Sequence, residues 1–238
     1  MRVAEEIVKF IVEELHKVGA PVVLLFGTAL HEHRNGTGNC VQPYFHEDDF
    51  DIGVFREHFH YVVLLMDEIK TKFGWYGTKP NADQKDAFIW FGPKGMLKRR
   101  GGFQVDVYSF EVDKPSKGMV YFPWDQRQMA SNSFLPLVKH KPSTDVAIAG
   151  SVPHYYMPYD TPCFLENLYG ADYMTPKRKF KMDHVNTTGV DNSLKFGHPH
   201  CNRKMSNEDL RELERQMSFV NVTYPFRSKA EAVWNGLR

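Results

Sequence analysis

The chain is 238 residues long, and its 30 Lys and Arg against 29 Asp and Glu leave a formal charge of +1. A balance so close to neutral gives no global field for gripping nucleic acid or an anionic membrane, so neither partner is expected. Hydrophobic content of 42% and aromatic content of 14% belong to a folded globular chain, and no apolar run approaches the roughly 20 residues that span a bilayer. In chain order, residues 2–18 predict an amphipathic helix, because Val3, Ile7, Phe10, Ile11, Leu15 and Val18 recur at helical spacing between glutamates. Gly19-Ala20-Pro21 ends it. Val22 to Phe26 is a continuous apolar run of strand length, as expected of a strand buried on both faces. Gly27-Thr28-Ala29-Leu30 follows and could open a helix. A glycine at such a turn lets a phosphate approach the backbone and the helix N-terminus, although glycine also marks turns for steric reasons alone.

A polar loop over residues 35–44 leads into His46-Glu47-Asp48-Asp49-Phe50-Asp51-Ile52-Gly53-Val54-Phe55. From Asp49 onward polar and apolar residues alternate, the pattern of a strand with two different faces. Side chains at i and i+2 of a strand point the same way, so Asp49 and Asp51 are expected to project together. Two carboxylates so placed repel unless a cation lies between them, and hard oxygen ligands suit Mg²⁺, Mn²⁺ or Ca²⁺. Taken alone, the pair also fits a solvated acidic turn.

A second amphipathic helix is expected over about 57–73, stopped by Gly74, and a strand over 87–91. The turn-rich stretch from Gly92 to Gly102 carries Lys98, Arg99 and Arg100. Residues 103–109 then alternate, with Val105 and Val107 on one face and Asp106 on the other. Beyond residue 113 proline recurs, and the pattern predicts a long irregular stretch wrapping the core. A short helix is expected at Thr161 to Leu168, ended by Gly170, and a capping box at Ser206-Asn207-Glu208-Asp209 opens another through about Phe219. The fold class expected is α/β (α+β), a mixed sheet flanked by helices with an irregular, partly helical C-terminal portion. One domain over 1–238 is expected, with a core over about 2–180 and an extension over about 181–238.

Three cysteines, Cys40, Cys163 and Cys201, are too few for a disulfide framework or a Cys-x-x-Cys zinc site, leaving open one disulfide plus a free thiol. Three triplets beginning at Asn35, Asn186 and Asn221 fit the glycosylation pattern, which also arises by chance. The N-terminus opens on charged residues without a signal-peptide pattern, and the compartment stays open.

In order, the chain offers a buried strand ending in Gly27-Thr28, then Asp49-x-Asp51 on a strand, then Asp106 on another. Three carboxylates beside a glycine turn can hold divalent cations against a phosphate. This order and spacing resemble the nucleotidyltransferase superfamily. More narrowly, the chain resembles the LicD/fukutin family. Gly27-Thr28-Ala29-Leu30, Arg34-Asn35-Gly36 and Glu47-Asp48-Asp49-Phe50-Asp51-Ile52 stand where the family carries Gly-Thr-Leu-Leu-Gly, Arg-x-Gly and Pro-Trp-Asp-Asp-Asp-Ile-Asp-Ile. Val105-Asp106-Val107 matches its later strand Asp, and Leu165-Glu166-Asn167-Leu168-Tyr169-Gly170 through Pro176 is similar to its Leu-Glu-x-x-Tyr-Gly motif. The likeness spans roughly residues 20–180 in the expected order. The departures, an insertion over Thr37 to Gln42, His46 in place of Trp and Glu47 in place of the first Asp, fall on the substrate side.

The resemblance implies transfer of a phospho-alcohol, such as phosphocholine or ribitol phosphate, from a CDP-linked donor to a glycan or other hydroxyl acceptor. It implies that Asp49 and Asp51 ligate Mg²⁺ or Mn²⁺ and that Asp106 is a further ligand or the base. Gly27 and Thr28 would line a phosphate pocket and Arg34 would offer bidentate contacts to a phosphate. Lys98, Arg99 and Arg100 would hold the diphosphate, or form a solvated basic loop. A Golgi lumen or a bacterial cytoplasm would suit the family. Two alternatives stand beside this reading. His31, His33, His46, His58 and His60 lie close in sequence, and a hydrolase using His31, His33 and Asp49 around a metal is one. A nucleotidyltransferase-fold binding module without turnover is the other.

Overall fold

The computed structural model describes residues 2–36, 49–78, 88–94, 104–113, 119–123, 127–140, 154–175 and 204–218. Its centre is a pair of parallel strands, β2 (Asp49–Phe55) and β5 (Gln104–Asp113), joined in register from Asp49 opposite Gln104 to Phe55 opposite Phe110. A parallel pair needs a crossover. Here α3 (Arg56–Phe73) supplies it, followed by the antiparallel strands β3 (Trp75–Gly77) and β4 (Phe88–Pro93). Gly74 ends α3 at φ 70, a left-handed position that favours glycine, and its N–H caps Lys70 O.

On the other side of β2 lies β1 (Val22–Leu24), antiparallel to it and buried throughout. Before it comes α1 (Arg2–Lys17), which fully buries Ala4, Ile7, Val8, Ile11 and Leu15 at helical spacing. The expected strand through Phe26 stops two residues early, at Leu24. Leu25 N donates to Asp51 O at 3.0 Å, Leu25 O accepts from Ala29 N at 2.9 Å, and α2 (Phe26–Gly36) has begun. The elbow forces Phe26 to φ 41, a left-handed conformation that costs a non-glycine residue about 1–3 kcal/mol.

Beyond residue 113 the described residues are more regular than the proline pattern suggested. They hold β6 (Met119–Phe122), β7 (Arg127–Ala130), α4 (Ser131–Phe134), β8 (Val138–His140), β9 (Tyr155–Met157), α5 (Thr161–Tyr169) and α6 (Asn207–Met217). The strand order is β3-β4-β5-β2-β1-β9-β8, and β6 and β7 continue from the far end of β5. Parallel and antiparallel pairs are mixed, and six helices lie among the described residues, an α/β architecture as expected. The capping box of α6 is present, with Ser206 Oγ accepting from Asp209 N and Asp209 Oδ2 accepting from Ser206 N. Gln216 stitches this helix to the body: its amide bonds both N and O of Leu137, and its carbonyl lies 3.2 Å from His58 Nε2.

The two faces of the β2–β5 pair differ. Phe50, Ile52, Val105 and Val107 share one fully buried apolar face with Phe91. That face meets α3, since a Cβ on Gly77, opposite Phe91, would lie 2.9 Å from Met66 Cε. The opposite face carries Asp49, Asp51, Gln104, Asp106 and Tyr108, then turns aromatic at Phe55 and Phe110, whose rings are 4.6 Å apart. Gly53 interrupts it because Leu25 presses there: a Cβ at Gly53 would sit 2.6 Å from Leu25 Cδ1. Among the described residues no helix is long and apolar enough to cross a membrane. Cys163, buried on α5, is disulfide-bonded. His46, Glu47, Asp48, the insertion over Thr37 to Gln42, and the basic Lys98, Arg99 and Arg100 lie outside the described residues.

Candidate metal centre

Asp51 and Asp106 face each other across β2 and β5, and Asp49 sits one pleat along from Asp51 on the same face. One carboxylate oxygen from each of Asp49, Asp51 and Asp106 comes within 4.8 Å of the other two. Burial separates this group from an ordinary acidic turn. Asp51 is 6% exposed and Asp106 5%, with Asp49 half-buried at the rim. Burial first, and then the charge of Asp49, push the Asp106 carboxyl up to about 8, against the pull of hydrogen bonds from Tyr108 and Gln104.

Two neighbours on β5 hold this arrangement, and neither was singled out from sequence. Tyr108 is two residues from Asp106 on the same strand face, and its hydroxyl donates to Asp51 Oδ1 at 3.2 Å and to Asp106 Oδ2 at 3.4 Å. Burial and the three aspartates hold the phenol well above its usual range, so it stays a donor. Gln104, two residues the other way, donates Nε2 to Asp106 Oδ2 at 3.4 Å. The alternation of β5 was the signal available for both. The Tyr108 ring is itself held, edge to face, by Phe26 at 4.9 Å.

The β1–α2 elbow meets the site through Thr28. Its hydroxyl accepts from the main-chain N of Asp51 at 2.8 Å, and Thr28 is 1% exposed. The residue expected to line a phosphate pocket thus fixes the height of the acidic strand against the first turn of α2, with Gly27 buried beside it. Arg34, expected to contact a phosphate, lies at the other end of α2. Its Nε donates to Tyr173 O at 3.0 Å, and its Nη2 donates to the same carbonyl and, at 3.5 Å, to Thr175 O. Those donors clasp α2 to the turn after α5.

The histidines take other places. His33 Nε2 is 3.5 Å from the Tyr173 hydroxyl, and His140 Nε2 is 2.9 Å from Oε1 of the buried Glu32. Burial lowers the pKa of both His31 and His33. Among the described residues the three aspartates are the cluster able to hold a metal ion, and neither His31 nor His33 belongs to it.

The donor set fits a hard divalent cation. All three groups able to reach a cation are carboxylates, as Mg²⁺ and Mn²⁺ favour, and Asp106 Oδ1 is buried with no hydrogen-bond partner among the described residues. A buried unpartnered carboxylate oxygen is costly, and a cation would satisfy it. No family model matches the chain, and no curated protein matches it.

Proposed function

We propose that the protein is a metal-dependent transferase that moves a phospho-alcohol, of the phosphocholine or ribitol phosphate kind, from a CDP-linked donor to a hydroxyl of a glycan or similar acceptor. The observation that carries this reading is the three-carboxylate cluster, buried at Asp51 and Asp106, with an Asp106 oxygen that has no hydrogen-bond partner among the described residues. The reaction class and donor rest on the LicD/fukutin resemblance.

In this reading Asp49, Asp51 and Asp106 hold Mg²⁺ or Mn²⁺. The cation would neutralise phosphate charge and stabilise the departing oxygen. The acceptor oxygen forms a bond to the phosphorus of the phospho-alcohol, and the bond from that phosphorus to CMP breaks with its electron pair leaving on CMP. The acceptor's proton goes to the Asp106 carboxylate or, where Asp106 completes the ligand set, to solvent. Thr28 keeps Asp51 in register with the first turn of α2, and Tyr108 keeps Asp51 and Asp106 together. The disulfide at Cys163 suits an oxidising compartment, which favours a secretory lumen over a bacterial cytoplasm.

The test is release of CMP from CDP-ribitol and CDP-choline, with and without Mg²⁺ or Mn²⁺, alongside thermal shifts with the same ligands. Metal-dependent CMP release that disappears in Asp51→Asn supports the transferase. Metal-dependent nucleotide binding without release, even with hydroxyl acceptors, would reassign the chain as a binding module. Stabilisation by Zn²⁺ with no response to nucleotide would favour the hydrolase.

A further inference from the structure

The row of side chains that contains Asp51 and Asp106 continues onto the next strand. Asp51 is in register with Asp106, and Asp106 with Trp90 of β4. Residues in register share a face, so Trp90 stands beside Asp106 on the acidic side of the sheet, one strand spacing of about 4.8 Å away. Alternation agrees: its neighbours Ile89 and Phe91 are fully buried on the opposite face, whereas Trp90 is half-buried.

The indole is held in a defined place. Thr78 pins the Trp90 main chain at both its polar groups, its N donating to Trp90 O at 3.0 Å and its Oγ1 accepting from Trp90 N at 3.1 Å. Two residues along the same face is Gly92, and the six-membered edge of the indole lies over it. A Cβ at Gly92 would be 3.7 Å from Trp90 Cζ3 and 3.9 Å from Cε3. Gly92 is buried, with Tyr76 of β3 opposite it in the ladder. An aromatic ring resting on a glycine beside a phosphate-type metal site offers what a flat heterocycle needs: a π-face at fixed height, and nothing that demands a particular hydrogen-bond pattern.

We propose that Trp90 is the stacking platform for the base of the donor nucleotide, with the diphosphate lying along the row toward Asp106 and Asp51. This assignment rests on the metal-dependent, nucleotide-linked reading above and adds to it the subsite that recognises the base. Stacking tolerates any planar base, so the platform supplies affinity for nucleotides over bare phosphates and leaves the choice among bases to other contacts.

The experiment compares two probes in saturating Mg²⁺: CDP, which has a base, and inorganic pyrophosphate, which does not. For Trp90→Ala, CDP is expected to bind about tenfold more weakly, equivalent to about 1.4 kcal/mol, and pyrophosphate to bind as it does to the unaltered protein. Trp90→Phe keeps a π-face and is expected to bind CDP within about threefold of the unaltered protein, while losing the CDP-induced change in indole fluorescence. Undiminished CDP binding by Trp90→Ala would overturn the proposal. Equal losses for CDP and pyrophosphate would also overturn it, by making Trp90 a support of the metal site. If the unaltered protein binds neither probe with Mg²⁺, the proposed function fails and the platform with it. Metal-dependent pyrophosphate binding with no gain for CDP would sink the platform alone.

Discussion

The acidic and aromatic ends of one sheet face invite comparison, because the same two strands build both. At one end β2 and β5 present Asp51, Asp106 and Tyr108; a few residues on they present Phe55 and Phe110. The two ends are almost equally removed from water, with Phe55 and Phe110 at 0% exposure and Asp51 and Asp106 at 6% and 5%. Equal burial has opposite energetic sign. Phe110 packs against Phe55, Phe122 and Phe134 at 4.6, 5.9 and 5.1 Å, and each ring gains by leaving water. The carboxylates lose hydration and repel each other, and are kept in place by Tyr108, Gln104 and Thr28. One end holds the sheet together, and the other is held together by it.

The largest effect should come from the aromatic end. Phe110→Ala removes a fully buried ring and should cost about 3–5 kcal/mol in denaturant unfolding. A loss below about 1 kcal/mol would show that this end is not the structural anchor. At the acidic end the pattern should invert. Asp51→Asn keeps an oxygen able to accept from Tyr108 but removes a charge, so metal-free stability should hold or rise. Metal-dependent turnover should fall by about a hundredfold or more. Early melting together with retained activity would make Asp51 a structural residue and erase the contrast.

Tyr108→Phe probes the junction between the ends. It leaves the ring beside Phe26 and removes the hydroxyl that bridges two carboxylates. Groups that orient metal ligands typically contribute 10–100-fold in metal affinity. Mn²⁺ titration should therefore weaken by about that factor, while unfolding free energy moves by about 1 kcal/mol. An unchanged Mn²⁺ affinity would confine Tyr108 to packing.

The smallest effect concerns pH. The folded state holds the Asp106 proton up to about 8, whereas the unfolded chain releases it near 3.8. Between those values the folded state binds more protons, so this group's contribution to stability is full below about 4 and declines as pH rises toward 8. Half-buried His16 and His60, each lowered to about 4, act in the opposite sense as pH falls from 6.5 to 4, so the cleaner window is pH 6.5 to 8. In metal-free buffer the melting temperature should fall across that window, and Asp106→Asn should flatten the decline. An equal slope in both proteins would assign the decline to other groups.

How much of this was legible in sequence depended on how local the determining interaction is. The faces of β2 and β5 were legible, because Asp49-x-Asp51 and Val105-Asp106-Val107 declare them within three residues. Helices α1 and α3 were legible from apolar spacing, and α6 from its capping box. The register that sets Asp106 opposite Asp51 was not, since it is decided by an intervening crossover. Nor was the role of Thr28, whose partner is 23 residues away, or that of Arg34, whose partner is 139 residues away. Strands β6 to β9 are three or four residues each, too short to show a period. Tyr108 is different: it stood two residues from Asp106 on an alternating strand, and the same rule that placed the aspartate would have placed it.

Helix α2 is fastened at both ends. Thr28 ties its first turn to the main chain of the acidic strand, and Arg34 ties its last turn to the carbonyls of Tyr173 and Thr175. Eleven residues of helix make a strut about 16 Å long, and a helix resists stretching far more than it resists rotation about its ends. A displacement of the turn after α5 would therefore be passed along this strut toward Asp51. The two regions are in series, like the two ends of a connecting rod, and a change that loosens one is felt as a misplaced carboxylate at the other.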